Sequence, residues 1–129
     1  MLMKWLVFLL NEAFNRNYKL AIASNRPARF SNILLRTLGL KQYFDVVICA
    51  ENSNEIKPSP RILLKIIKKL KVDKDEVLYV GDMVIDVYAG RNAGLKTIAI
   101  PGGSSSRLEL KRARPFKIIS KLKEVLKIL

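Results

Sequence analysis

Three stretches of this sequence combine residue types and spacings suited to phosphate and a hard cation. In Gly81-Asp82-Met83-Val84-Ile85-Asp86 two carboxylates stand four residues apart after the apolar run Val77-Leu78-Tyr79-Val80. A helix beginning there carries both on one face, a geometry for a cation such as Mg²⁺ that takes oxygen ligands and keeps several waters. The plainer reading of Asp82 and Asp86 is acidic residues favoured at a helix N-terminus. In Ile56-Lys57-Pro58-Ser59-Pro60 a lysine is framed by prolines. Pro58 biases Lys57 away from helical backbone, so its ammonium can be aimed inward as a point charge for phosphate, or it is an ordinary solvated lysine. In Ser24-Asn25-Arg26-Pro27 a hydroxyl ends an apolar stretch just before a helix start. There it can bond phosphate oxygens beside free backbone N–H groups, or simply cap the helix.

Composition narrows the chemistry further. Among 129 residues there is no His and one Cys, which removes His-based nucleophile systems, His-ligated zinc, thiolate clusters and intrachain disulfides. Cys49 lies in the apolar run Val46–Ala50 and reads as a small buried side chain of a protein in reducing cytosol. Lys and Arg number 24 against 11 Asp and Glu, a formal charge of +13 that favours anionic partners. Only 8% of residues are aromatic, so stacking platforms for single strands are scarce and the basic runs read as solvated faces, with nucleic acid an unfavoured partner. The apolar start Met1–Leu10 stops at Asn11-Glu12, short of the roughly 20 residues a membrane span needs, and is expected to be a core-packed helix over 2–16.

Elements able to position these residues follow from hydrophobic period. Expected strands are Tyr18–Ser24, Asp45–Ala50, Val77–Val80, Lys96–Ile100 and a short edge strand at Phe116–Ile119. Expected helices run from Pro27 to Leu38 with Gly39 as terminator, from Ser59 to Leu70, from Asp82 to Asn92 with Gly94 as terminator, and after Ser120 as a cap. Pro101–Ser106 is expected to be a loop. Short apolar strands alternating with helices imply a three-layer, doubly wound α/β fold around a parallel sheet, in which ligands sit at the C-terminal strand ends. All three stretches fall at such ends.

With these motifs in this order, the chain resembles the haloacid dehalogenase-like superfamily of phosphohydrolases, most closely its phosphoglycolate phosphatase-like members. The segments carrying the resemblance are Lys19–Asn25, Lys57–Pro60, and Val80–Asp86 with the following Ala89–Gly94, similar to the second, third and fourth motifs of that superfamily. The resemblance implies that Ser24 and Asn25 bind the phosphoryl group, that Lys57 neutralises phosphate and nucleophile, and that Asp82 and Asp86 hold Mg²⁺, directly and through water respectively. It implies a small phosphorylated metabolite as substrate.

The family's first motif, a strand ending in Asp-x-Asp-Gly-Thr or similar that supplies the nucleophile and the acid/base, has no match here, and the cap that selects substrate is also missing. Val7–Ala13 has the nearest texture but offers no nucleophilic Asp. The expectation is therefore one core domain over 1–129, incomplete on its N-terminal side and inactive alone. A non-catalytic phosphate- or Mg²⁺-binding module and a nonspecific nucleic-acid-binding domain are the alternatives. In the resembled family the first-motif strand lies between those ending at Ser24 and Gly81. Without it, either those two strands close on each other or the place is filled by Trp5–Leu10, by a second polypeptide, or by another copy in a homo-oligomer, a dimer being expected.

Overall fold

The structure is a computed structural model and describes residues 10–129. The helix expected over 2–16 is seen at 10–15 (α1), and its remainder lies outside the described residues. Then follow β1 (Ala21–Ser24), α2 (Ala28–Thr37), β2 (Val46–Cys49), α3 (Arg61–Leu70), β3 (Leu78–Gly81), α4 (Val84–Asn92), β4 (Lys96–Ala99), α5 (Arg107–Arg112) and β5 (Lys117–Ile118). Every strand pair is parallel, as the alternation of apolar strands and helices requires. Gly39 and Gly94 end their helices at φ of 69° and 76°, a backbone region in which a side chain is strained.

Three local expectations are corrected. Pro27 is the residue before α2 rather than inside its first turn, with extended ψ of 144°. The helix expected after Ser120 is a six-residue 3₁₀ segment, Leu122–Lys127. The Ser120 side chain does not cap it; instead Glu124 Oε2 accepts the backbone N–H groups of Ser120 and Lys121 at 2.7 and 2.8 Å. Finally, α5 occupies a stretch for which no element is expected, started by a reciprocal capping box between Ser106 and Glu109.

The sheet is in two pieces. β1 pairs with β2, and β4 lies between β3 and β5; among the described residues β1 and β3 are not hydrogen-bonded to each other. What joins the pieces is helix packing: α3 sets Leu63 against Ala23 of β1 and Tyr79 of β3, alongside Ala89, Ala93 and Leu95. On the opposite face Val125 and Leu129 cover Leu78 and Val80, while Leu10 covers Leu20 and Ile22. Cys49 is buried at the end of β2, as its apolar surroundings predict.

The tightest helix–strand approach is at Gly90 of α4, where a Cβ would collide with Thr97 Oγ1 and press on the Tyr79 ring at 3.1 Å. Thr97 is itself buried. Gly90→Ala is therefore expected to lower stability by about 1–3 kcal/mol, because overpacking outweighs the better helix propensity of alanine. Urea denaturation of the two proteins checks this, and equal or greater stability of the variant contradicts the packing described.

Candidate active site

Asn25, Lys57, Asp82 and Asp86 come together at the C-terminal ends of β1 and β3. The loop between β2 and α3 delivers Lys57, and the Lys57–Pro58 peptide is cis. Asn25 clamps the lysine backbone: the N–H of Lys57 donates to Asn25 Oδ1 at 2.8 Å, and Asn25 Nδ2 reaches the Lys57 carbonyl at 3.5 Å. The same loop is tied by Glu55, a buried carboxylate that accepts the Glu51 N–H at 2.9 Å and pairs with Lys65. The hydrogen bond from Lys65, reinforced by that N–H, holds the Glu55 carboxyl below the usual carboxylate range.

The Lys57 ammonium is spent on three acceptors: the Ala23 carbonyl at 3.2 Å, Tyr79 Oη at 3.2 Å and Asp86 Oδ1 at 2.7 Å. Three donors meet three partners from β1, β3 and α4. The pair is nearly buried, with side-chain exposures of 12% for Lys57 and 6% for Asp86. Asp86 is equally engaged. Its Oδ1 also accepts from Tyr79 Oη at 3.0 Å, and its Oδ2 accepts the backbone N–H groups of Asp82 and Met83 at 3.2 and 3.1 Å. The latter bonds satisfy donors that α4 leaves free at its start. Gly81 makes the approach possible, since a Cβ there would collide with the Asp86 side chain.

Asp82 differs from Asp86. It is exposed, and its carboxylate accepts no hydrogen bond from the described residues. Gly103, in the loop after β4, leaves the space it occupies, because a Cβ at Gly103 would collide with Asp82 Oδ2. Ser24 stands next to Ala23 but bonds none of these four residues. Its Oγ accepts the Arg26 N–H at 3.0 Å and lies 3.4 Å from Ser31 Oγ, so it shapes the turn into α2.

Tyr79 is the functional-site residue that the motifs do not reveal. Burial first, and then the neighbouring Asp86 charge, push its hydroxyl well above the ordinary tyrosine range, so it stays protonated and can bridge Lys57 and Asp86. Its only sequence signal is a polar-tipped side chain two residues before Gly81, on the face where alternation also places the groups near α4.

One cation and two carboxylates leave this cluster with a formal charge of −1, which suits a divalent cation that in turn attracts phosphate. Among the described residues no group of three or more His, Cys, Asp or Glu could hold a metal. The donor set fits Mg²⁺ rather than a metal needing a full protein cage, because Mg²⁺ is held by one or two carboxylates with waters and substrate phosphate.

Two measurements test the cluster. Lys57→Met is expected to cost about 3–5 kcal/mol by leaving Asp86 buried without its counter-charge, and the double variant Lys57→Met/Asp86→Leu to regain much of it. Strictly additive losses in urea denaturation contradict the pairing. For Glu55, the folded-state pKa lies below the unfolded value of about 4.3, so its stabilisation is present above that value and lost as pH falls through the folded one. The stability gap between the wild type and Glu55→Gln is expected to be level above about pH 5 and to close on further acidification. A gap independent of pH contradicts it.

Known proteins place this arrangement in context. The family model described as haloacid dehalogenase-like hydrolase matches residues 4–100. The pyrophosphatase PpaX of Bacillus mycoides is 31% identical over 93% of this chain and 56% of its own length. The crystal structure of a candidate phosphoglycolate phosphatase from Lactobacillus delbrueckii subsp. bulgaricus superposes with a TM-score of 0.88 at 25% identity, over 96% of this chain and 52% of that one. A haloacid dehalogenase-like hydrolase from Streptococcus pneumoniae shares the fold, with a TM-score of 0.83 at 20% identity over 95% and 57%. The chain thus spans about half the length of the relatives it matches. With a family model that covers most of it, this chain belongs to the haloacid dehalogenase-like hydrolases.

Proposed function

We propose that this chain is the phosphate- and Mg²⁺-binding portion of a phosphohydrolase acting on a small phosphorylated metabolite, and that the isolated chain does not turn substrate over. The observation that supports this reading most directly is the meeting of Lys57, Asp82 and Asp86 at adjacent strand ends. Phosphoryl transfer is chiefly positioning and charge neutralisation, and these groups supply both.

Asp82, whose carboxylate accepts no hydrogen bond among the described residues, would hold Mg²⁺, with Asp86 supporting the loop behind it. An ion held there would supply positive charge facing the phosphate oxygens. Lys57 presents a second positive charge, reaching phosphate by exchanging one of its three present acceptors. The Ala23 carbonyl and the Tyr79 hydroxyl carry no charge, so either is less costly to give up than Asp86. Asn25 fixes the lysine backbone, and in this reading the Ser24 hydroxyl, now engaged in the turn into α2, donates to phosphate.

An attacking group is the missing part. The carboxylates of the cluster are committed, one to Lys57 and Tyr79 and the other to the cation, so neither is placed to form a bond to phosphorus. Phosphomonoester hydrolysis by the purified chain with Mg²⁺ is expected to equal that of Asp82→Asn. Metal-dependent turnover lost in Asp82→Asn overturns the incomplete-site reading. Calorimetric titration is expected to show weak Mg²⁺ binding that Asp82→Asn abolishes, two carboxylates leaving most of the octahedron to water. Tight binding unchanged by Asp82→Asn contradicts the ligand assignment.

A further inference from the structure

A cavity of about 340 Å³ lies at the β5 edge of the three-stranded sheet, and none of its lining residues belongs to the candidate active site. Its lining includes four cationic residues, Arg107, Lys111, Arg114 and Lys117, together with Phe116, and no carboxylate. Among the described residues none of the four forms an ion pair. The acidic residues of the same stretch are engaged elsewhere. Glu109 accepts the Ser106 N–H at 2.9 Å, and Glu124 accepts those of Ser120 and Lys121, its charge reaching Lys117 only at longer range. Helix stability does not account for the cations. Arg107 opens α5, where a positive charge opposes the helix dipole, and Lys111 stands one turn on along the same face, a spacing at which like charges repel. Arg114 follows just past the helix end with left-handed backbone at φ 59°, where a side chain is strained and glycine is not.

The cavity is built on fixed backbone. Arg91 donates to the carbonyls of Ala113 and Arg114, which pins the turn between α5 and β5. The Phe116 N–H donates to the Thr97 carbonyl at 2.8 Å, so the residue is anchored to β4 while 59% of it stays exposed. Lys96 Nζ stands 5.2 Å from the centroid of the Phe116 ring, a cation against its π-system. An anchored ring beside charges on a pinned turn is already arranged to meet a ligand that is both aromatic and anionic.

We propose that this cavity binds a nucleoside triphosphate, with its base stacked on Phe116 and its phosphates among Arg107, Lys111, Arg114 and Lys117. An inorganic anion uses the charges and leaves the ring idle, and an uncharged aromatic does the reverse; a nucleotide uses both. Guanidinium groups match phosphate bidentately, and a triphosphate carries about as much negative charge as the four side chains carry positive. The volume is that of a small-molecule site, and a single ring is a platform for a single base, which favours a free nucleotide over a strand. The inference stands on this cavity and not on the phosphohydrolase reading.

The full 129-residue chain is titrated with ATP in EDTA, so that no metal contributes at Asp82, and backbone amide shifts are followed by NMR. Saturable shifts are expected in α5 and at Phe116 and Lys117, and are expected to be the same in Asp82→Asn. Phe116→Ala is expected to weaken binding about tenfold, and Arg107→Gln/Lys111→Gln by at least as much. Arg114→Gly, which suits the left-handed backbone, removes a charge without strain and is expected to weaken binding as well. Lys68→Gln/Lys69→Gln removes the same charge from an exposed part of α3 and, at about 0.15 M salt, is expected to change affinity by less than about twofold. Equal losses in the two double variants overturn the proposal in favour of the general field of the +13 chain. Inorganic triphosphate binding as tightly as ATP, or Phe116→Ala without effect, overturns it in favour of a site for anions alone. Tighter binding of a single-stranded adenylate oligomer than of ATP at equal nucleotide concentration overturns it in favour of nucleic acid. Absence of saturable shifts at Phe116 beside intact Mg²⁺ binding at Asp82 rejects this site and leaves the phosphohydrolase reading standing.

Discussion

The ammonium of Lys57 links two halves of a sheet that no strand pairing joins among the described residues. It bonds the Ala23 carbonyl on one side and Tyr79 and Asp86 on the other, so a single side chain bridges the two sheets near the strand ends. Charges this deeply placed are tolerated only when paired and fully hydrogen-bonded, and here the three ammonium hydrogens and both carboxylate oxygens are used. The consequence is mutual dependence: Asn25 and Glu55 hold the loop that carries Lys57, Asp86 holds the start of α4, and Asp82 is placed by the backbone that Asp86 grips.

Such a cluster needs close backbone approach, and glycine provides it. Gly81 leaves room for the Asp86 side chain and Gly103 for that of Asp82. Neither is at positive φ, so what they contribute is the absence of a Cβ and not conformational freedom. Gly81 ends β3 and Gly103 lies in the loop that follows β4, the side of a parallel sheet at which side chains of neighbouring segments converge.

The packing of the two sheets and the candidate site meet in one place. Packing of α3 on one face of both strands, with Leu10 covering β1 and the C-terminal segment covering β3 on the other, holds the two sheets together without a shared ladder among the described residues. A cavity of about 920 Å³ lies between the two sheets, and Lys57, Asp82 and Asp86 are among its lining residues. Lys57 touches both sheets there, through Ala23 of β1 and Tyr79 of β3.

The sequence by itself determined the parallel α/β class, the helix ends at Gly39 and Gly94, the buried Cys49, and the placing of the Ser24, Lys57 and Asp82 stretches at strand ends. These are read from period and from residues with strong backbone preferences, which act locally. It missed α5, whose capping box spans one turn, and mistook a 3₁₀ segment for a helix because apolar spacing does not separate the two over six residues. Only the tertiary structure decided that, among the described residues, β1 and β3 are not paired with each other, that Tyr79 joins Lys57 to Asp86, that Asn25 binds the lysine backbone, and that Asp82 alone of the two carboxylates accepts no hydrogen bond from them. Each of these depends on contacts between residues far apart in the chain, and the energy of burying a charge is settled by which partners the fold brings within reach.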